Sequence, residues 1–258
     1  MIEFKSVSVG YKNIDVIQNM SINFPNGKIT VLIGSNGCGK STLLSAALGR
    51  LRLSLGEICV DGNNLLTLPR KKAAQKISLL PQSRTIPDIT VEAFVLHGRF
   101  PWLGYPRVYR VEDKVIVKKA MERVNIIEKR HELLAHLSGG ERQKAYLAML
   151  LAQNTSNILL DEPTTYLDIA HQLELLELMK KFKNDNKCVI AVLHDLDMAF
   201  EIADQIAVLK NGSLLKIGTP KEVFASKAVE EAFGVKITIL NSTCGHSIIN
   251  KRRDGSLW

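Results

Sequence analysis

Ile29-Thr-Val-Leu-Ile33 runs straight into Gly34-Ser35-Asn36-Gly37-Cys38-Gly39-Lys40-Ser41, and that junction governs how the rest of the chain reads. The first stretch is a short apolar, β-branched run, the mark of a strand buried on both faces. The second fits G-x-x-x-x-G-K-[ST] without a gap, and Lys40 to about Arg50 reads as a helix. Glycines let the backbone wrap a phosphate so that successive N–H groups point inward at negative charge. The helix aims the positive end of its dipole at the same place. Lys40 supplies a mobile cation for the β- and γ-phosphates, and the Ser41 hydroxyl, with Thr42 beside it, can ligate Mg²⁺. Such a loop indicates a nucleotide and no more.

Outward from the junction, strands and helices alternate. Ile2, Phe4, Val7 and Val9 interleave with polar residues, and Ser21–Phe24 alternates again before the Pro25-Asn26-Gly27 turn, which predicts strands. Ile77–Leu80, Ile158–Leu160 and Cys188–Leu193 are further buried-strand candidates, with helical patterns at Glu141–Gln153 and Ile169–Phe182. This predicts an α/β core around a largely parallel sheet. Residues 84–136 break the rhythm and read as a helical insertion with an irregular Arg99–Arg110 stretch. Two short strands, a helical Pro220–Phe233 and a strand pair with a basic tail are expected beyond residue 205.

The 258 residues are 46% hydrophobic and 23% charged, enough for one large domain with a sizeable core. The longest apolar runs, such as Val189–Leu193, fall far below the ~18–20 residues that cross a bilayer. Met1–Val7 shows no basic start followed by an apolar stretch, so the chain is expected in the cytosol, acting on a membrane only through an embedded partner. Cys38, Cys59, Cys188 and Cys244 match no metal-ligand spacing and read as free thiols. The net charge of +8 is concentrated, with fourteen Lys/Arg against six Asp/Glu between Arg70 and Arg130. Nucleic acid or an anionic membrane would attract that segment, and a solvated helical face explains it equally well.

Ile158-Leu-Leu-Asp161-Glu162 is an apolar strand ending in two acids, at the kind of strand end where α/β folds hold ligands. Adjacent acids can divide the work, so Asp161 is assigned to Mg²⁺ and Glu162 to an attacking water. His194 ends another apolar strand and can donate to charge developing on a γ-phosphate, although a structural histidine fits the position too. Gln82, after Ile77–Pro81, can ligate Mg²⁺ or orient water.

Leu137-Ser138-Gly139-Gly140-Glu141-Arg142-Gln143 is a second anion-binding helix start: Ser138 can cap it, and the two glycines expose backbone N–H groups. One mononucleotide does not need both helix starts from one subunit. A two-fold dimer, each subunit lending its second helix start to the partner's ATP, uses both.

With these motifs in hand, the chain resembles the ATP-binding cassette family. Gly34–Ser41 is similar to its Walker A loop, Leu137–Gln143 to its signature and Ile158–Glu162 to its Walker B strand. Gln82 and His194 resemble its Q-loop and switch histidine, Thr165–Asp168 its D-loop, and Tyr11 its adenine-stacking aromatic. The resemblance implies an α/β P-loop NTPase fold with a mainly parallel sheet, an N-terminal antiparallel β-subdomain and an inserted helical subdomain. It implies a single ATP-binding domain over residues 1–258, with the core at about 1–83 and 137–220, the helical subdomain at about 84–136 and a C-terminal extension at about 221–258. Catalytic roles fall to Glu162, His194, Lys40 and Gln82. ATP contacts fall to Tyr11 and Gly34–Thr42, with Ser138, Gly139 and Gly140 reaching the partner's ATP, and Mg²⁺ to Ser41, Gln82 and Asp161. The implied assembly is a homodimer docked on membrane permease subunits at the cytoplasmic face of the membrane, served indirectly by a substrate-binding protein and without nucleic acid. Glu162–Glu174 and His97–Arg107 resemble more closely the cassettes of bacterial importers for iron-siderophores, haem and vitamin B12. A soluble cassette ATPase of iron–sulfur or other cofactor assembly is the alternative. A nucleic-acid-linked cassette is disfavoured by the single phosphate loop. Cys38, inside the loop, is expected to expose ATP binding to thiol reagents. Reversing several charges between residues 70 and 130 is expected to weaken assembly and membrane association; unchanged co-sedimentation with membranes would reduce the segment to solvated surface.

Overall fold

The computed structural model describes residues 1–12, 14–82, 86–165, 167–241 and 247–253, with backbone alone given for 239–241 and 247–253. β1 (Ile2–Tyr11) and β2 (Ile14–Phe24) form a hairpin. β3 (Lys28–Ile33) leads through the glycine loop into α1 (Lys40–Ala47), and β4 (Leu53–Val60) with the two-residue β5 (Asn63–Asn64) returns to β1. Next come α2 (Arg70–Lys76), β6 (Ile77–Leu80), α3 (Val91–Leu96), a 3-10 turn at His97–Trp102, and α4 (Val111–Arg123). The remainder is α5 (Gly139–Gln153), β7 (Asn157–Asp161), α6 (Ile169–Asn184), β8 (Cys188–Val192), α7 (Leu196–Ile202), β9 (Gln205–Lys210), β10 (Ser213–Gly218), α8 (Pro220–Ala225), α9 (Ala228–Phe233), β11 (Val235–Asn241) and β12 (Ser247–Arg253).

The central sheet has the order β10-β9-β3-β8-β7-β6, parallel except for β10. A four-stranded antiparallel sheet, β2-β1-β4-β5, packs over one face, and β11 and β12 pair as a separate ribbon. The period-2 alternation of strand side chains explains the layers. Ile29, Val31 and Ile33 join the core beneath α3–α6, with Phe94, Leu150 and Phe182. Leu32 turns to the opposite core, shared with α1 and the antiparallel sheet through Leu43, Leu44 and Phe24. A strand covered on both faces has to be almost wholly apolar, and 29–33 is so except for Thr30, which is itself buried.

Several elements differ from expectation. The first helix stops at Ala47 rather than Arg50, followed by a left-handed Gly49. The expected helix 220–233 is two helices, broken at Lys227, whose φ is 58°. β4, α2 and α7 carry no periodicity strong enough to have been named from sequence; α2 and α7 have seven residues each, about two turns. The expected strand pair near the C-terminus is present, whereas residues 254–258 of the basic tail and Cys244 lie outside the described residues.

The irregular 99–110 stretch anchors the helical segment to α5. Arg99 is buried, its Nε 2.9 Å from Asp113 Oδ1, and its Nη1 donates to the Ala152 carbonyl at 2.8 Å in the last turn of α5. The Trp102 indole N–H donates to the Gln153 carbonyl at 2.8 Å. Both donors satisfy carbonyls that a helix C-terminus leaves without partners. Burial pushes the Asp113 carboxyl up, but the Arg110 backbone N–H and the Arg99 bond and charge outweigh it and hold the group below its ordinary value. The stability this gives is complete above the ordinary aspartate value, about 3.9, and is lost as pH falls through the lower folded value. Arg99→Met strands a buried carboxylate and is expected to cost about 3 kcal/mol in urea unfolding at pH 7. Asp113→Asn is expected to flatten the acid limb of the stability profile below pH ~4.

Candidate functional site

The parallel register brings the strand ends to one level. Leu32 of β3 pairs with Val192 of β8, Val192 with Asp161 of β7, and Leu80 of β6 with Leu160. Gly34, His194, Glu162 and Gln82 therefore emerge side by side at the carboxyl edge of the sheet, where open α/β sheets bind ligands.

Gly34, Gly37 and Gly39 have φ of 153°, 77° and 108°, a backbone course that L-residues rarely follow. A Cβ on Gly34 would also meet the Leu209 carbonyl oxygen at 2.3 Å. Gly212 N donates to the Cys38 carbonyl at 3.0 Å, fastening the loop to the β9–β10 turn. Lys40 is buried, and its ammonium donates to the Gly34 and Ser35 carbonyls at 2.7 and 3.0 Å. Cys38 is buried as well, its Sγ 3.8 Å from Lys40 Nζ. The thiol thus points into the protein, which corrects the expectation of ready attack by a bulky reagent. Among the described residues, Thr42 is buried at the start of α1, Ser35 is half-buried, and Asn36 and Gly37 are exposed.

The two acids separate as expected of neighbours at a strand end. Ser41 Oγ lies 3.5 Å from Asp161 Oδ1, while the Glu162 carboxylate is gripped at both oxygens. Gln82 Nε2 donates to its Oε2 at 2.6 Å, and His194 Nε2 lies 2.6 Å from its Oε1. Gln82 thus turns its amide N–H to Glu162, which leaves its side-chain carbonyl oxygen as the atom that would serve Mg²⁺. Burial first, and the Glu162 charge second, push the Asp161 carboxyl above its ordinary value, against the Ser41 bond and the charges of Lys40 and His194. The Ser41 hydroxyl and the Asp161 carboxylate set two hard oxygens side by side, a donor set that fits Mg²⁺, which keeps much of its water shell. Glu162 itself sits at φ 49°, in the left-handed region, immediately before Pro163. Such backbone costs a non-glycine residue of order 1–3 kcal/mol and clusters at active sites. No sequence pattern pointed to it.

Tyr11 ends β1 half exposed, opposite Ile14. The same hairpin borders the phosphate loop, with Val16 and Ile17 packed where a Gly39 side chain would be. Ser138 caps α5 in a reciprocal box: its Oγ accepts from Glu141 N at 3.3 Å, and Glu141 Oε2 accepts from Ser138 N at 2.9 Å. These bonds hold the Glu141 carboxyl below its ordinary value. Gly139 and Gly140, the first two residues of α5, have amides that no carbonyl within the helix can accept. Among the described residues no hydrogen bond or ion pair joins Ser138–Gly140 to Gly34–Thr42, so the chain presents two distinct helix starts. Asp168 caps α6; Tyr166, within the expected D-loop, lies outside the described residues.

A family model described as ABC transporter matches residues 17–165. The chain belongs to the ABC transporter family. It is 38% identical over 239 residues to the ferric enterobactin transport ATP-binding protein of Escherichia coli, covering 92% of this chain and 88% of that one. It is 38% identical over 245 residues to a petrobactin import ATP-binding protein of Bacillus anthracis, covering 94% and 90%. A solved chain from a transporter described as of metal-chelate type, in an inward-facing conformation, superposes with a TM-score of 0.85 at 25% identity and 98% coverage of both. The α/β P-loop NTPase fold expected from sequence is the observed one, and the ABC chain is an ATPase. No helix among its described residues is long and apolar enough to cross a membrane.

The strain at Glu162 is testable. Glu162→Gly is expected to stabilise the chain by about 1 kcal/mol in thermal or urea melts, because glycine adopts this backbone without steric cost, and to abolish ATP turnover. Equal or lower stability would mean that the Gln82 and His194 bonds outweigh the strain.

Proposed function

We propose that the chain is the motor of an importer for an iron-siderophore, haem or vitamin B12, working as a dimer beneath membrane permease subunits at the cytoplasmic face of the membrane. The observation that carries the motor is the Gln82–Glu162–His194 cluster beside a phosphate loop. In this reading Gly34–Thr42 wraps the phosphates of ATP, and Lys40 exchanges its bonds to the Gly34 and Ser35 carbonyls for phosphate oxygens. Tyr11 stacks on the base. Ser41, Asp161 and the Gln82 carbonyl oxygen would hold Mg²⁺, which when bound offsets charge on the β- and γ-phosphate oxygens. Glu162 accepts a proton from the attacking water while Gln82 and His194 keep its carboxylate aimed. The water oxygen bonds to the γ-phosphorus as its bond to the β–γ bridging oxygen breaks, ADP leaves with that electron pair, and the His194 N–H turns from Glu162 to the charge that develops.

The Gly139 and Gly140 N–H groups, which no carbonyl within α5 can accept, favour a composite site. Ser138, Gly139 and Gly140 close over the γ-phosphate held by the partner subunit, and two-fold symmetry makes two such sites. Permease docking is supported by a groove of about 550 Å³ between α2 and the 99–107 stretch, bordered by Arg70, Lys71, Phe100, Leu103, Tyr105 and Arg107. Tyr105 is 99% exposed there, an apolar and basic surface suited to a helix end of a membrane subunit. The iron-chelate cargo is supported by the names of the relatives, since no residue of a cassette needs to touch the cargo.

Glu162→Gln is expected to bind ATP, accumulate as an ATP-bound dimer in size-exclusion chromatography, and lose at least ~10²-fold in turnover. Wild-type turnover would remove Glu162 from the role of base. Transport by the chain reassembled with its permease, assayed over a panel of iron chelates, decides the cargo.

A further inference from the structure

Gln143 lies in the second turn of α5 and is buried, although glutamine is mostly found at the surface. Its Nε2 donates to the Pro163 carbonyl at 2.9 Å. Pro163 directly follows Glu162, so this bond grips the backbone of the strained turn that carries the proposed base. Gln82 and His194 hold the same residue from its carboxylate end. A buried bond of this kind has no ready replacement by water and is costly to leave unmade.

The other flank of α5 is also fixed. A Cβ on Gly140 would fall 2.8 Å from His171 Nε2 and 2.9 Å from its Cε1, so glycine admits the imidazole. That ring is anchored by Nδ1 at 2.7 Å from Asp168 Oδ1, the oxygen that also accepts the His171 backbone N–H and caps α6. The start of α5 is thereby wedged between the Glu162 turn and the start of α6.

We infer that Gln143 is a positioning residue that couples the two ATP sites of the dimer. Capture of the partner's γ-phosphate by Ser138–Gly140 shifts the first turns of α5, and the Gln143 bond to Pro163 carries that shift to the backbone of Glu162, which serves the subunit's own ATP. The inference rests on the composite-site reading above. It gives one helix two duties: its tip senses the partner's nucleotide, and its second turn sets the base at home.

The test uses the full chain. Gln143→Met keeps the volume and removes the N–H donor, Gln143→Glu keeps an acceptor in place of the donor, and Gln143→His keeps a donor at shorter reach. Hydrolysis is followed against ATP concentration, ATP-driven dimerisation is measured in a Glu162→Gln background, and melting temperature reports folding. The Met and Glu variants are expected to lose on the order of tenfold in kcat, with the Hill coefficient falling toward unity and half-saturating ATP changing much less. The Glu162→Gln, Gln143→Met chain still dimerises, and the His variant recovers part of kcat. Unchanged kcat and Hill coefficient in the folded Met and Glu variants would overturn the inference. Loss of dimerisation in the double variant would overturn it too, by making Gln143 part of the interface. Failure of Glu162→Gln alone to dimerise would sink the composite-site reading and the inference with it. If the Met variant melts too low to assay, the contrast between Glu and His decides the same question.

Discussion

The parallel pairing of β3, β8, β7 and β6 is the constraint on which the site depends. Each strand carries its chemical group at or just past its end: the phosphate loop, His194, the Asp161–Glu162 pair and Gln82. Because the register aligns the last paired residues, four segments far apart in sequence deliver their polar groups to one edge. A one-residue slip would exchange the two faces of a strand, burying the wrong side chains. The two apolar cores on either side of β3 hold the register, so the placement of the chemistry is a consequence of core packing.

At that edge the electrostatics are unbalanced within the chain itself. Asp161 and Glu162 are adjacent acids, one pushed up by burial and by the other's charge, and Lys40 spends its donors on loop carbonyls. The arrangement suits a partner that brings both negative phosphates for Lys40 and the loop amides and a hard cation for Asp161. Neither alone would balance the site: phosphates without the cation would face two carboxylates, and a cation without phosphates would leave the amides of the loop unmatched. Binding of the two together is the electrically consistent state.

Much of this was legible before the structure. The buried strand at 29–33, the loop after it and the acid pair at 161–162 are local patterns with a physical cause, and the structure brings them to a common edge. Boundaries were less legible: Lys227 breaks an apparently continuous helix, and the seven-residue α2 and α7 are too short to display a period. Long-range polar pairings were not legible at all. The Arg99 link to Asp113 and Ala152 appears in sequence only as an arginine in a proline- and aromatic-rich stretch. Gln143 was read as part of a motif, with no sign that its amide would reach Pro163 twenty residues on. The left-handed backbone of Glu162 leaves no compositional mark, since the residue there is not a glycine.

The second helix start shows how a motif can be read two ways that agree. As an anion site, Ser138–Gly140 requires amides with no obstructing side chain. As a packing site, Gly140 requires the absence of a side chain because the His171 ring occupies the space. The first demand faces outward and the second faces α6, so the two glycines answer different neighbours: Gly139 meets nothing within 4 Å, while Gly140 is hemmed in. A helix tip open on one side and packed on the other can bind an anion and still transmit its displacement, because the packed side leaves no slack to absorb it. That asymmetry would let the proposed anion-binding tip double as the inferred mechanical link.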